Sequence, residues 1–265
     1  MSAGANYGLR DEIRDFWSER AASFDDFPGH EIFSERERGA WHALFSRHLG
    51  EATGRRALDL ASGTGVVSHL LDDLGYDVTG LDWSEAMLER AAAKAASRGR
   101  RITFRLGDAE RIMELDASFD VVVTRHLVWT LVDPAAAFSE WLRVLKPGGT
   151  LLVIDGDFVG QSPLERLIAR LERFVQPRGG NAPGPVLPDD LVERHRSILS
   201  RVHFKDGARA GEVARMLAQA GFASVAIDRR LGPIHRAQAR AMPLAKGLAR
   251  QVQHRYAIRA VKSRG

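Results

Sequence analysis

Small and acidic residues follow the first predicted strand in the segment DLASGTG, residues 59–65. Asp59 is followed by a loop in which Gly63 and Gly65 let a ligand approach the backbone at the start of a helix. A plain turn between a strand and a helix explains the same residues equally well. The dinucleotide fingerprint GxGxxG is met only in part, because Ser68 occupies its third glycine position.

Acidic residues also end the next two predicted strands. Asp82 follows the loop by roughly twenty residues, where a carboxylate receives the two hydroxyls of a ribose. Trp83 suits stacking on an adenine or ordinary packing, and Asp108 suits a hydrogen bond from the adenine amino group or a helix cap. Three such features in order, at the ends of three successive strands, favour a nucleoside ligand.

The fourth predicted strand ends at the segment TRHLVW, residues 124–129. A histidine has a pKa suited to general-base work, so His126 is the candidate catalytic residue, with a hydrogen-bonded structural role as the alternative. Arg125 and Trp129 are placed to contact a substrate.

Short apolar runs that alternate with amphipathic segments must position these residues. The runs ALDLA, YDVTGLD, ITFRLGD, FDVVVTR and GTLLVID predict parallel strands wrapped by helices. Two helices, about 9–22 and 31–49, precede them, and KPGG at 146–149 predicts a helix end. Ser84 and Asp133 are predicted N-caps, with Pro134 in the first helical position. A helical insertion over 158–207, a helix–strand pair and a last strand in HRYAIRAVKS complete the chain.

Composition and charge limit the class of protein. The 265 residues include no cysteine, which excludes disulfides and thiolate metal sites, and no metal site is predicted. No apolar run reaches the length of a membrane span and the first residues are charged, so a cytoplasmic protein is expected. Residues 1–160 carry 18 basic and 26 acidic side chains, whereas 161–265 carry 20 and 8. The basic part predicts an anionic partner, or else a solvated basic surface.

The motifs between Trp17 and Asp157 resemble those of the class I S-adenosylmethionine (SAM)-dependent methyltransferases, in particular the small-molecule group similar to ubiquinone/menaquinone-biosynthesis methyltransferases. ALDLASGTG resembles the first motif, VTGLDWSEAMLERA the second, LGDAERI the third and WLRVLKPGGTLLVID the closing signature. The family's usual first glycine is Ala61 here. The N-terminal FWSERAASFD resembles the segment that closes over SAM, so Trp17 and Phe24 are expected at the entrance, with ordinary helix packing as the alternative.

The resemblance implies a Rossmann-like, doubly wound α/β fold with a mostly parallel seven-stranded sheet, a helical N-terminal extension and a helical insertion after strand 5. A single domain over 1–265 is expected, with a lid (1–50), a SAM-binding core (51–157), a substrate cap (158–207) and a sheet-completing part (208–265) that contains the basic segment. The expected cofactor is SAM. The residues expected to contact it are Trp17, Asp59, Ala61, Gly63, Gly65, Asp82, Trp83, Met87, Asp108, Ala109 and Thr124.

The expected acceptor is a small anionic, carboxylate-bearing metabolite, such as a tetrapyrrole or a natural-product intermediate. Besides Arg125, His126 and Trp129, its predicted contacts are Arg236 and Arg240, four residues apart on one helical face. Two alternatives stay open: an RNA methyltransferase that uses the basic C-terminal segment, and a protein that binds SAM or a nucleotide without catalysis. Nucleic acid is the less favoured partner, because that segment has one aromatic residue, Tyr256. The sequence leaves dimerisation open.

Overall fold

A seven-stranded sheet forms the centre of the computed structural model, which describes residues 7–27, 29–159 and 188–265. Its strands are β1 Arg56–Leu60, β2 Asp77–Asp82, β3 Thr103–Leu106, β4 Phe119–Arg125, β5 Leu145–Gly156, β6 Ser224–Asp228 and β7 Arg255–Val261. The strand order is β3-β2-β1-β4-β5-β7-β6, with β7 antiparallel to both of its neighbours and the other pairs parallel. The predicted Rossmann-like α/β fold is confirmed.

Helices pack on both faces of this sheet. In the described ranges they are α1 Leu9–Arg20, α2 Glu35–Leu49, α3 Val66–Asp73, α4 Glu85–Ser97, α5 Pro134–Val144, α6 Asp189–Leu199, α7 Ala210–Gln219, α8 Gly232–Ala239 and α9 Leu244–Val252. One face buries Phe138 and Trp141 of α5, and the other buries Trp41 and Phe45 of α2. Short 3₁₀ turns follow α1 (Ala21–Asp26) and β4 (Val128–Thr130). No helix in these ranges is long and apolar enough to cross a membrane.

Local capping explains where two of the helices begin. The Ser84 hydroxyl accepts a hydrogen bond from the Met87 N–H at 3.3 Å, and an Asp133 carboxylate oxygen accepts one from the Ala136 N–H at 3.1 Å. Both predicted N-caps are therefore confirmed. Since these helices follow β2 and the turn after β4, the caps fix two of the chain segments that lead away from the carboxyl edge of the sheet.

Three predicted element boundaries differ from the structure. The first helix ends at Arg20 and passes into a 3₁₀ turn. The second begins at Glu35 rather than near residue 31, because Ser34 caps it through a bond from the Glu37 N–H. KPGG does not end α5, which stops at Val144; the motif lies within β5. Of the predicted insertion 158–207, residues 160–187 lie outside the described part.

Candidate active site

The glycine-rich loop after β1 begins the candidate site. Ala61, Gly63 and Gly65 have positive φ angles of 53°, 55° and 82°, and this left-handed conformation turns the chain sharply from β1 into α3. Gly65 is the N-cap of α3. Ser62 lies between them, and its buried hydroxyl has no hydrogen-bond partner in the described structure. The loop therefore brings its backbone to the space above the sheet.

Asp82 connects this loop to the end of β2. One of its carboxylate oxygens accepts the Gly63 N–H at 2.9 Å and the other accepts the Ser84 N–H at 2.9 Å. Burial raises the pKa of Asp82 to about 6, although these N–H bonds favour the charged form. Ligand hydroxyl groups that donate hydrogen bonds to Asp82 would stabilise its charged form further. The Asp82 carboxylate therefore suits a ligand that contains a diol.

Asp59 lies beside Asp82 on the neighbouring strand and lines the same space. It is almost fully buried and accepts a hydrogen bond from the Ser68 hydroxyl at 2.6 Å. Burial raises the pKa of Asp59 to about 7, while the Ser68 bond and the charge of Arg125 oppose the rise. The two carboxylates form the acidic end of the site.

A cavity of about 410 Å³ opens above these residues, at the carboxyl ends of β1, β2 and β4. Ligand pockets have this size and this position in doubly wound sheets. Of the residues predicted to contact the cofactor, those that line it are Trp17, Asp59, Ala61, Gly63, Asp82, Trp83 and Met87. Asp108 and Ala109 instead line a narrow neighbouring cavity of about 20 Å³, which shares Ala61 and Trp83 with the first.

Two predicted cofactor contacts do not line either cavity. Gly65 faces inward, and a Cβ there would lie 3.1 Å from the Phe104 ring and 3.3 Å from the Ala91 Cβ, so its role is the close packing of α3. Thr124 is fully buried in β4, and its hydroxyl donates to the Leu60 carbonyl at 3.2 Å. Both predicted contacts are corrected to structural positions.

The N-terminal segment covers one side of the cavity. Trp17 contacts the rings of Phe24 and Trp129 edge-on, with centroids 6.1 and 6.3 Å apart. The buried Arg20 guanidinium lies 4.9 Å from the Phe27 ring centroid, and its Nε has no hydrogen-bond partner in the described part. The Thr64 hydroxyl donates to Asp25 at 2.5 Å and ties the segment to the glycine-rich loop.

The residues after β4 form the opposite end. The three predicted substrate contacts after β4 all line the cavity: Arg125, His126 and Trp129. His126 has a left-handed φ of 61°, an uncommon conformation for a residue other than glycine, and such conformations concentrate at functional sites. The Trp129 indole N–H donates to the His126 carbonyl at 2.9 Å and holds this turn.

Six further residues with ionisable or aromatic side chains line the cavity, although no sequence motif predicts them as site residues. They come from the N-terminal segment, from α6 and α9, and from the residues around β5 and β7: Arg20, His30, Phe158, His195, Arg250 and Arg255. For Arg250 and Arg255, the sequence signal is their place in the basic segment that leads into the last predicted strand.

Arg236 and Arg240 do not line the cavity. Both are exposed on and just after α8, whereas the buried residues of that helix are Ile234, His235, Ala237 and Gln238. Their four-residue spacing does place them on one helical face, but that face points to solvent. The predicted contacts Arg236 and Arg240 thus lie outside the cavity, whereas Arg250 and Arg255 line it.

Burial controls the charge of the histidines and arginines around the cavity. It lowers the pKa of His30 to about 3 and of His195 to about 4, with help from nearby arginines, and lowers that of His126 well below its usual value. These imidazoles are neutral near pH 7. Burial and the charge of Arg125 lower the pKa of Arg250 to about 10, which leaves it charged. The end of the cavity beyond β4 is therefore cationic.

The residues fit a bound SAM. Asp82 offers carboxylate oxygens for the hydroxyls of a ribose, Gly63 brings the backbone of the loop to the cavity, and Trp83 lines both the main cavity and the narrow one beside Asp108. The acidic side chains suit the hydroxyl and amino groups of such a ligand, and Arg125, close enough to Asp59 to feel its charge, suits its carboxylate. This fit rests on donor and acceptor chemistry at the positions observed.

Comparison with known proteins defines the class of this site. Residues 58–153 match a family model described as a methyltransferase domain. With the sheet order and the cavity described above, these residues form a class I SAM-dependent methyltransferase domain.

Its relatives include the demethylmenaquinone methyltransferase of Renibacterium salmoninarum, 37% identical over 143 residues that make up 52% of this chain and 58% of the relative. The ubiquinone/menaquinone biosynthesis C-methyltransferase of Bdellovibrio bacteriovorus is 33% identical over 145 residues, 54% of this chain and 61% of the relative. The chain thus spans little more than half the length of these relatives.

A solved structure of Haemonchus contortus phosphoethanolamine N-methyltransferase 2 in complex with S-adenosyl-L-methionine shares the fold. Its TM-score is 0.61 at 18% identity, and the match covers 98% of this chain and 58% of that chain. A putative sarcosine dimethylglycine methyltransferase from Galdieria sulphuraria has a TM-score of 0.57 at 16% identity, with 96% and 99% of the two chains covered. At these identities the likeness shows the fold alone.

Proposed function

We propose that this protein is a SAM-dependent methyltransferase whose acceptor is a small molecule with an anionic group. The observation that carries the proposal is a single cavity with two different ends: Asp82 and the glycine-rich loop at one, and Arg125, His126 and Arg255 at the other. A nucleoside suits the first end and an anion the second. Small-molecule methyltransferases among the relatives support this reading, and a cytoplasmic location remains a prediction.

Residues of the proposed site divide by role. Asp59, Ala61, Gly63, Asp82, Trp83 and Met87 would hold SAM, with Asp108 and Ala109 beside the adenine and Trp17 over the entrance. When bound, SAM supplies a methyl group on a positively charged sulfur. The chain's own task is then to orient the acceptor and exclude water. His126, neutral through burial, is the proposed general base, and Arg125 and Trp129 are proposed acceptor contacts.

Calorimetric titration with SAM and, separately, with NADH tests the cofactor. We expect SAM but not NADH to bind the wild-type chain, and Asp82→Ala to weaken SAM binding at least about tenfold, because charge-assisted hydrogen bonds are lost. Asp77→Ala is the matched control, since Asp77 is exposed at the other end of β2. Failure of SAM to bind the folded wild-type protein, or preference for NADH, contradicts the proposal.

A further inference from the structure

Arg255 lies at the end of the cavity beyond β4, in contact with His126. It is the first residue of β7 and stands opposite Gly156 at the carboxyl end of β5. Its Nε donates to Gln253 Oε1 at 3.2 Å, and its Nη1 lies 3.4 Å from Nε2 of His126. Because a guanidinium only donates hydrogen bonds, Nε2 must be the acceptor, and the proton of this neutral imidazole is on Nδ1.

Arg255 and Arg125 bring positive charge into this end without a close counter-ion. Within the described ranges neither forms an ion pair shorter than 4.0 Å. Nη1 of Arg125 is buried with no hydrogen-bond partner there, while its Nη2 donates to the His30 carbonyl at 3.2 Å. Both side chains are half-buried and face the cavity, and a partly desolvated cation without a counter-ion is stabilised by an anion that enters from outside the chain.

Two carboxylates, Asp155 and Asp59, stabilise the charges of these arginines, but both already accept hydrogen bonds from other groups. Asp155 lowers the cost of charge on Arg255, but its two oxygens accept the Val128 and Gly156 N–H groups, each at 2.8 Å. Asp59 acts in the same way on Arg125 and is held by Ser68. Arg125 therefore lies within the electrostatic influence of both ends of the cavity, whereas the contacts of Arg255 lie at the acceptor end.

We propose, on the basis of the proposed function, that the methyl acceptor carries a carboxylate or phosphate that binds Arg255 and so draws Nη1 away from Nε2 of His126. Nε2 then accepts a hydrogen bond from the acceptor's O–H or N–H group. Arg255 selects acidic acceptors and is at the same time a positioning residue for His126. An acceptor that lacks the acid group leaves Nε2 of His126 in contact with the guanidinium. Binding of the acid group by Arg255 therefore controls whether His126 is free to act as a base.

The rings beside Arg255 suggest a suitable probe. Its guanidinium carbon lies 5.4 Å from the Phe158 ring centroid, and Phe158 meets Trp129 edge-on with centroids 5.5 Å apart. Benzoate combines a flat ring with a carboxylate, benzamide is its neutral counterpart, and phenyl phosphate supplies the other acid group. Titrating all three by ligand-observed NMR, with and without S-adenosylhomocysteine, separates this proposal from that for SAM.

We expect benzoate or phenyl phosphate to bind saturably and at least about tenfold more tightly than benzamide. The tighter of the two anions identifies the acid group. Arg255→Met should weaken anion binding at least about tenfold and leave S-adenosylhomocysteine binding within about twofold, and Arg255→Lys should restore part of it. Arg259→Met is the matched control, because Arg259 lies on the same strand outside the cavity and donates to the His48 carbonyl. Equal binding of benzamide, absence of saturable anion binding, or unchanged binding in Arg255→Met overturns the proposal.

The contact with His126 has its own test. In protein labelled with ¹⁵N-histidine, the Nε2 resonance of His126, assigned by its loss in His126→Gln, should report an unprotonated nitrogen and should shift when benzoate is added. In folded Arg255→Met it should already be shifted and should not respond to benzoate. A wild-type Nε2 resonance that is protonated, or that stays fixed while benzoate binds, overturns the link between acid binding and His126.

Discussion

Two residues with left-handed backbones stand at the two ends of the cavity. Ala61 turns the chain after β1 and His126 turns it after β4, with φ angles of 53° and 61°. This conformation costs a residue with a side chain roughly 1–2 kcal/mol, and the surrounding structure must supply that free energy. Both turns follow neighbouring buried strands that are locked in register, and rigid strands allow such strain to persist where a ligand is to be held.

Asp155 gives a pH-dependent prediction at the scale of one residue. Burial raises its pKa to about 7, so the folded state holds a proton that the unfolded state releases near pH 4. Its contribution to stability is therefore present at low pH and is lost as the pH rises towards 7. We expect the free energy of unfolding of wild type relative to Asp155→Asn to fall by up to about 4 kcal/mol from pH 4 to pH 7, measured by urea denaturation.

A carboxylate with the opposite shift serves as the control. Burial favours the neutral form of Asp120, but hydrogen bonds from Lys146 and the Arg56 N–H outweigh it and lower the pKa of Asp120 below its usual value. Its contribution is present above the unfolded pKa and lost as the pH falls. A relative stability of Asp155→Asn that does not change with pH would show that Asp155 is ionised in the folded protein.

Some site residues could be predicted from local motifs, whereas others could not, because they lie far apart along the chain. Asp82 and Gly63 could be predicted because their roles follow from the end of a strand and the turn after it. Arg255 and His195 come from distant segments, and no local pattern states that these segments meet above β4. Arg236 and Arg240 show the limit of periodicity: it finds residues on one helical face without telling which face is buried.

At the scale of elements, helix α1 carries part of the N-terminal segment that covers the cavity, and it packs on α6. Ile13 and Phe16 of α1 pack with Leu191 and Ile198 of α6, and the Phe16 ring stacks on His195 with centroids 5.0 Å apart. Exposed ion pairs at the edge join Arg194 to Glu19 and Arg201 to Glu12. Because Trp17 and His195 both line the cavity, packing between these helices fixes two of its walls.

We expect Phe16→Ala to destabilise the protein by about 3–5 kcal/mol, since it removes a fully buried aromatic ring from this contact. It should also speed dissociation of SAM, measured by stopped-flow displacement, because the cover is no longer held. Glu19→Gln, in the same interface, removes only an exposed ion pair and should cost less than about 1 kcal/mol. Similar losses in the two variants would mean that charge, rather than ring packing, holds α1 on α6.

At the scale of the whole molecule, polar contacts join the N-terminal part of the chain to its C-terminal part. The buried Gln238 side-chain amide of α8 donates to Glu37 of α2 at 2.8 Å, and His48 lies 2.9 Å from Asp228 at the end of β6. A parallel sheet wrapped by helices could be expected from the alternation of strands and helices. These cross-chain contacts could not, because a polar residue on a helix gives no sign of its distant partner.

Removal of residues 255–265 tests the dependence of the sheet on β7. This strand lies between β5 and β6 and buries Tyr256, Ala257, Ile258 and Ala260. Losing one buried large side chain costs about 2–5 kcal/mol against a typical total stability of 5–15 kcal/mol, so we expect the shortened chain not to fold, as judged by near-UV circular dichroism and thermal unfolding. A chain lacking only the exposed Arg264 and Gly265 should remain folded. Cooperative unfolding of the 255–265 deletion would contradict this dependence.

The position of β7 near the end of the chain also determines when the two ends of the cavity can form during synthesis. The residues of the nucleoside end, up to Ala109, are all synthesised long before Arg255 leaves the ribosome. Until then one edge of β5 stays open, with Leu151, Leu152, Val153 and Ile154 beside unpaired backbone groups that invite pairing with other chains. Because a chain without β7 is not expected to fold, this edge stays exposed until residues 255–261 have been made, and a chaperone that covers it during that interval should reduce aggregation.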